Sequence, residues 1–377
     1  MDMLFHSLRL LKLLIITLVF FCASPVSGQT EGCTDPFALN YNSNATWNDG
    51  SCIYEETTYI PMPFLDLPAT LAESSGLIFW SEGIWTFNDS GNDPNIYKVD
   101  TANGDIVQTV TVSNGNNVDW EDITQDDDHI YIGDFGNNAG NRKDLVIYKL
   151  LKADIPDTGN VDVSAQVIAY SYADQDDFTA SVNNNEYDCE AMIWVNDSLY
   201  LFTKNWISNT TRLYVLPDEA GSYELLPVDS LNVDGLITGA AYSNVLGQVV
   251  LSGYKSYLPF MYLLFDYHGN DVFSGNKRRI QMPGLFGVQT EGICFWEGYE
   301  GYISCEASLI TQQLFTFSTR EWTDTTMLHI KEPLNKLEVE VHPNPVDSGM
   351  LTIDIYNSNK GSYHIKIYDS SGRVVFR

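Results

Sequence analysis

Short runs of alternating apolar and polar residues, separated by clusters of Gly, Asn and Asp, fill the chain from about residue 57 to residue 335, and no stretch among them carries a convincing helical period. Five of these runs open on a similar small polar signature: Ser75-Gly76-Leu77, Glu121-Asp122-Ile123, Glu190-Ala191-Met192, Thr238-Gly239-Ala240 and Glu291-Gly292-Ile293. The signatures recur at roughly 46 to 69 residues, which are blade lengths of a propeller. Each is followed by the same succession of strands. In the first unit the pattern predicts strands at 76–80, 84–88, 95–99 and 105–112; in the third, at 190–195, 198–203, 212–216 and 223–228. The second unit fits the same template with 152–165 as an insertion. The expected fold is therefore all-β, a β-propeller of five four-stranded blades over 57–335, with six blades as the alternative. A Pro-rich strand at 59–67, patterned like the fourth strands around Leu226 and Ile280, is placed to complete the last blade and close the ring.

In such a blade the first strand lines the channel and the second returns antiparallel to it, so the two ends meet at one face. The expected partners are Ser75 with Asp89, Glu121 with Asp134, Glu190 with Lys204, Thr238 with Gly253, and Glu291 with Glu306, with Cβ atoms within about 5.5 Å. Up to six carboxylates then converge at one mouth. Two of the pairs join like charges and need a cation, a shared proton or screening water. Asp119, Asn137 and Asn138 surround the Glu121/Asp134 pair. Oxygen donors without His or Cys suit calcium, and the candidate ligands are Asp89, Glu121, Asp134, Glu190, Glu291 and Glu306. The plainer alternative is that these carboxylates are solvated or cap backbone groups. Lys204 is an ion-pair partner of Glu190 or the holder of an anionic substrate, the one candidate for a catalytic role. Trp206 follows a second strand into a loop on this face and is a candidate ligand contact. Trp80, Trp194 and Trp296 occupy repeated strand positions and are assigned to the core between blades in preference to carbohydrate stacking.

Composition narrows the field. The formal charge of −30 over 377 residues repels nucleic acid and anionic lipid and attracts divalent cations or basic partners. Residues 1–28 read as a secretory signal, with Arg9 and Lys12 before the apolar run 13–21 and small residues after it; the run is too short for a membrane span. Histidines after the signal, His129, His268, His329, His342 and His364, have no catalytic neighbour in sequence, and there is no Gly-x-Ser-x-Gly elbow or phosphate-binding glycine loop. Cys294 and Cys305 are expected nearly opposite each other on the last blade's first hairpin, either bridged or as two buried thiols, with Cys189 left over.

The two ends carry more specific motifs. Gly32-Cys33-Thr34-Asp35-Pro36 and Asp49-Gly50-Ser51-Cys52 bound a module over 29–56 that resembles the small Cys-closed repeats of secreted bacterial surface proteins. A Cys33–Cys52 disulfide is expected there, restraining a loop with almost no apolar core by about 3 kcal/mol in the chain-entropy model. Asn40, Asn42, Asn44 and Asp49 alternate as oxygen ligands of a calcium loop would, or as turn formers. At the other end, Val341-His342-Pro343-Asn344-Pro345, Leu351-Thr352-Ile353, Ile365-Lys366-Ile367-Tyr368-Asp369 and Gly372-Arg373-Val374-Val375 resemble the C-terminal sorting domain of type IX secretion cargo. That resemblance implies export through the type IX machinery and release or attachment at the cell surface. The family's domain continues through further strands beyond the point matching Arg377, so a truncated sorting domain over 336–377 is expected. Within the ring, Glu291-Gly292-Ile293 with Ser304-Cys305-Glu306 resembles phytase-like esterase and lactonase-type propellers, which implies calcium at the channel mouth and, in some members, ester hydrolysis by metal-bound water. Ser75 and Thr238 depart from an even carboxylate pattern. The expected role is thus a secreted or surface propeller that binds an extracellular glycan, peptide or ester ligand, with calcium. The rivals are a calcium-dependent phosphoester or carboxylic-ester hydrolase and a structural adhesin.

Overall fold

The computed structural model describes residues 29–325 and four further short strands, Glu338–His342, Thr352–Tyr356, Ile367–Tyr368 and Val374–Phe376. The signal-like segment, the Pro-Asn-Pro motif and the Asp-x-x-Gly-Arg turn lie outside the described residues. Five antiparallel sheets succeed one another along the chain. From the axis outward the first blade comprises Ser74–Trp80, Gly83–Asn88, Asn95–Val99 and Ile106–Val112. The second comprises Trp120–Gln125, His129–Asp134, Val146–Leu151 and Gln166–Tyr172, and the third Cys189–Val195, Ser198–Thr203, Thr211–Pro217 and Asp229–Leu231. Leu236–Ser243, Gln248–Lys255, Leu258–Phe265 and Asn276–Gln281 make the fourth. The fifth combines Thr290–Glu297, Glu300–Cys305 and Gln313–Ser318 with Met62–Asp66 from the start of the domain. The blade number is five. The closing strand lies where its Pro-rich pattern placed it, with Leu65 opposite Leu314 and Asp66 opposite Gln313.

The two inner strands of each blade are buried on both faces, whereas the outer ones, such as Ile106–Val112 and Gln166–Tyr172, alternate between buried and exposed. Trp85, Phe87, Trp120 and Ile132 fill the seam between the first and second blades, and Ile193, Phe202, Leu251 and Phe260 that between the third and fourth. Tight turns with left-handed residues at both corners, Ser81 and Glu82, Asn196 and Asp197, Ser256 and Tyr257, join adjacent strands with the twist their pairing requires.

The outer edges depart from the sequence reading. Gly221–Leu225 is not the third blade's fourth strand; it runs parallel to Gln166–Tyr172 on the edge of the second blade, and Asp229–Leu231 takes the expected place. The insertion at 152–165 likewise sends Val161–Val163 back to the first blade, parallel to residues 110–112. Thr57–Thr58 does the same for the fourth blade. Periodicity cannot distinguish a strand paired within its own blade from one covering its neighbour's exposed edge.

The N-terminal module is closed by the Cys33–Cys52 disulfide and docks on the fourth blade. Trp47 stacks on His268 with ring centroids 3.7 Å apart, Asn48 Nδ2 donates to Asn276 Oδ1 at 3.0 Å, and the Arg278 guanidinium lies 4.9 Å from the Tyr54 ring. Of the residues expected to form a calcium loop or turns, Asn42 and Asp49 cap turns and Asn40 bonds across the module. Asn40 Oδ1 accepts from Ile53 N–H, Asn42 Oδ1 from Asn44 N–H, and Asp49 Oδ1 from Ser51 N–H. At the C-terminal end Glu338–His342 pairs with Thr352–Tyr356, and Ile367–Tyr368 with Val374–Phe376, both antiparallel.

At mid-depth the channel is closed. The second residue of four signatures is Gly76, Ala191, Gly239 or Gly292, and the fifth supplies Asp122. A Cβ on Gly239 or Gly292 would collide with the neighbouring inner strand's carbonyl, and one on Gly76 would lie 2.8 Å from Asp122 Oδ1. Asp122 is fully buried. Its Oδ1 accepts from Ile123 N–H at 2.8 Å, and its Oδ2 from Met192 N–H at 2.7 Å and Ala240 N–H at 3.3 Å. One side chain thereby ties three blades together across the axis. Burial holds its carboxyl well above the ordinary range, with the three amides acting the other way. Asp122→Ala strands these buried amides without an acceptor and should lower unfolding stability by about 3 kcal/mol or more in a urea titration; a loss below about 1 kcal/mol would show that the amides find other partners.

Candidate functional site

Every inner strand carries a β-bulge at its signature. Pairing shifts between Ser74 and Leu77, at Trp120/Asp122 opposite Gly133 and Asp134, between Cys189 and Ala191, between Ile237 and Gly239, and between Thr290 and Ile293. The residues left out of register include Ser75, Glu121, Glu190, Thr238 and Glu291. A bulge re-aims a side chain without ending its strand, and here it does so five times around one mouth. The expected cross-strand partners are consequently displaced by one position: Asn88, not Asp89, faces Ser74, and Gly253 faces Ile237. Ser75 and Thr238, which break the carboxylate pattern, bind the next blade instead. Ser75 Oγ donates to the Glu121 carbonyl at 2.6 Å and Thr238 Oγ1 to the Thr290 carbonyl at 2.7 Å.

Asp89, Asp119 and Glu121 each bring a carboxylate oxygen to within 4.8 Å of the others. Asp89 and Glu121 were legible as candidates; Asp119, which precedes the signature by two residues, was seen only as a neighbour. A Cβ on Gly136 would collide with Glu121 Oε1 and Asp119 Oδ2, so glycine at that position makes the room the carboxylates occupy. The Glu121 carboxylate is buried and has no hydrogen-bond partner among the described residues. Burial, followed by the charges of Glu190, Asp89 and Asp119, raises it well above the ordinary carboxylate range. Asp119 is pushed up to about 7 by burial and then by Asp89 and Asp188.

The other expected ligands have different surroundings. Asp134 receives Arg142 Nη2 at 2.9 Å and the Asp119 N–H at 3.0 Å, so its charge is already balanced. Glu190 forms a buried ion pair with Lys204 at 3.0 Å, the more ordinary of the two roles considered for Lys204. Burial opposes the Lys204 ammonium, yet Glu190 and Glu291 hold its pKa well above the usual value. Lys204 also lies 4.9 Å from the Trp206 ring, whose Nε1–H donates to buried Asp188 at 2.7 Å. Asp188, two residues before its signature as Asp119 is, was missed. Glu291 is raised to about 8 and Glu306 to about 7, both chiefly by burial. The mouth thus gathers carboxylates from four blades around two cations, Arg142 and Lys204.

The bridged alternative for the thiols is not realised: Cys294 faces Tyr302, Cys305 faces Thr290, and with Cys189 all three are free and buried. Trp80, Trp194 and Trp296 stand at the opposite mouth, at the ends of their inner strands. Trp80 and Trp194 pack on inter-blade clusters, as expected, but all three also line a cavity.

Neither a protein-family model nor a curated protein matches the chain. Solved structures similar to it include the PQQ-bound aldose sugar dehydrogenase from Streptomyces coelicolor, with 10% identity over 69% of this chain and 97% of that one at a TM-score of 0.43. A glucose dehydrogenase has 9% identity over 67% and 98% at 0.41, and a luciferin-regenerating enzyme 10% over 67% and 94% at 0.36. At these identities nothing about the chemistry of the site transfers.

Carboxyls held high in the folded state make stability fall as pH rises, because the native state keeps protons that the unfolded chain releases. Asp119 and Glu306 at about 7 and Glu291 at about 8, against ordinary values of 3.8 and 4.5, place that loss between about pH 4 and pH 8. Carboxyls held low elsewhere, such as Asp126 and Asp144, are ionised below most of this window. Without divalent cations the melting temperature should decline from pH 5 to pH 8; a rise across it would contradict the protonated mouth.

Proposed function

We propose that this is an exported β-propeller whose acidic mouth holds a divalent cation, calcium by its donor chemistry, and through it an extracellular ligand. The supporting observation is the Asp89–Asp119–Glu121 cluster, with one carboxylate buried and without a protein partner. Three like charges drawn together out of water are stable only if protonated or neutralised by a cation. The donors are all hard oxygens, the set calcium takes, and three carboxylates leave several of its six to eight positions for water or ligand oxygens. Export fits the Cys33–Cys52 disulfide, a bond that persists in oxidising compartments. Among the described residues no helix is long and apolar enough to cross a membrane. The signal and the type IX sorting resemblance give the proposed route.

Asp89, Asp119 and Glu121 would hold the cation, while Arg142 and Lys204 balance Asp134 and Glu190 on either side. A bound cation polarises a ligand oxygen coordinated to it. The ester-hydrolase alternative assigns Lys204 to an anionic substrate, and that ammonium is already engaged by Glu190 at 3.0 Å, so ligand binding is the better supported reading.

Calorimetric titration of the exported chain with calcium and, separately, magnesium tests this. Calcium should bind more tightly, and Asp119→Asn or Glu121→Gln should each weaken it by about tenfold or more while the protein stays folded by circular dichroism. Saturating calcium should also flatten the fall in melting temperature between pH 5 and pH 8, because the cation takes the place of the protons. Absence of any calcium heat, or affinity untouched by both substitutions, would remove the cation from this mouth. Turnover of phosphate or carboxylic esters that requires calcium would replace the binding reading with the hydrolase.

A further inference from the structure

The second mouth is built differently. A cavity of about 630 Å³ opens there, within the range of about 300–1,000 Å³ that small-molecule sites occupy. Its floor is apolar, formed by Leu77, Ile123, Ala240 and Ile293. These are the third residues of four signatures, on the side of Asp122 away from the acidic mouth, so the blade-tying carboxylate separates the two ends of the channel.

Trp80, Trp194 and Trp296 form its wall, one each from the first, third and fifth blades. Each ring is held by its own blade. Trp80 leans on Trp85 at 5.4 Å, Trp194 Nε1–H donates to Asp218 Oδ2 at 2.9 Å, and Trp296 stacks on Tyr302 at 6.1 Å with 26° between planes. Among the described residues no ring contact joins the three to one another. They have not collapsed into a cluster, although Trp296 remains 38% exposed. Held apart and braced, they present separate aromatic faces; the Lys152 ammonium lies over the Trp80 ring at 5.4 Å, and a ligand laid on that ring must displace it.

The rim supplies polar groups without protein partners. The side chains of Asp127, Asn244 and Glu297 line the cavity with no hydrogen bond among the described residues, and neither do the indole N–H groups of Trp80 and Trp296 have an acceptor. Of the cavity's charged groups, Asp126 is engaged by His129 and Tyr131, and Lys152 donates to the Asp126 carbonyl while keeping its charge. Asp126, Asp127 and Glu297 against Lys152 leave the cavity negative, which disfavours an anion. A single alkylammonium would need rings converging within about 6 Å of one point, and these rings stand apart. A wide ligand remains, with apolar faces for the indoles and hydroxyls at its edges for carboxylate, amide and indole N–H.

We propose that this aromatic mouth binds a neutral saccharide, with hexopyranose rings laid on Trp80 and Trp296 and their hydroxyls bonded to Asp127, Asn244 and Glu297. The site is independent of the cation at the other mouth. Each aromatic contact is worth roughly a tenfold change in affinity.

The test uses the exported chain in EDTA, with tryptophan fluorescence and calorimetry as readouts and the hexasaccharides of cellulose, xylan, mannan, amylose and chitin as probes. At least one should bind and perturb the fluorescence. Trp80→Ala and Trp296→Ala should each weaken it about tenfold, and Trp296→Phe should restore part of the loss. Repeating the titration with saturating calcium in place of EDTA should leave the affinity unchanged, which distinguishes failure here from failure of the cation reading. No binding of any neutral probe up to about 10 mM would overturn the proposal. So would affinity insensitive to both Trp→Ala variants with unchanged melting curves, preference for polygalacturonate over every neutral probe, or binding of choline in place of the sugars.

Discussion

The closeness of five inner strands around one axis governs the rest of this molecule. At the level of Gly76, Asp122, Ala191, Gly239 and Gly292 the neighbouring backbones leave no room for ordinary side chains, and the one polar group admitted is consumed by amides from three blades. A ring this tight has no continuous channel. It has two mouths back to back, each free to acquire its own chemistry. The bulges immediately before this level turn the first signature residues toward one mouth, and the strands that leave it carry aromatic residues toward the other.

The acidic mouth shows how unequal neighbouring carboxylates become once water is withdrawn. Nine-tenths burial of a charge is tolerated only with a partner. Asp134 has Arg142, Glu190 has Lys204, and Asp188 has the Trp206 indole and the Asn137 amide. Glu121 has other carboxylates. That contrast, more than the number of acids present, selects the Asp89–Asp119–Glu121 group as the place where a cation is needed. It also accounts for Ser75 and Thr238: at those positions the hydroxyl bonds the adjoining blade, so two of the five positions serve blade docking and three gather charge.

Stability and chemistry are separated in space. The seams are filled by Trp, Phe, Ile and Leu from both faces of each blade, the ring is clasped by Met62–Asp66, and parallel edge strands cover three outer margins. None of these elements contributes a group to either mouth except at its inner end. The rim residues can therefore vary while the scaffold remains, the usual arrangement in folds that serve many functions.

Strand periodicity and the five signatures were enough to establish the all-β propeller, the closing strand and the mouth at which Glu121, Glu190 and Glu291 meet, because alternation and turn chemistry are local and repeat; the Cys-closed module was read from its end motifs and their resemblance. The Glu190–Lys204 partnership followed from counting back along one hairpin. The choice among carboxylates did not. Asp119 and Asp188 precede their strands, and their approach to the site depends on bulges that pattern alone does not mark. Arg142 reaches Asp134 from a connection between strands, and only assembled blades place it there. Asp122 stands in sequence beside Glu121 with nothing to show that one carboxylate ties three blades while the other faces its like. Residues 223–228 were legible as a strand and 161–163 only as part of an insertion; the strands that form there, Val161–Val163 and Gly221–Leu225, pair one blade back. Local sequence determined which segments are extended and which residues end them; the closure of five blades about a narrow axis decided which charges are left without a partner and which aromatic faces are left open.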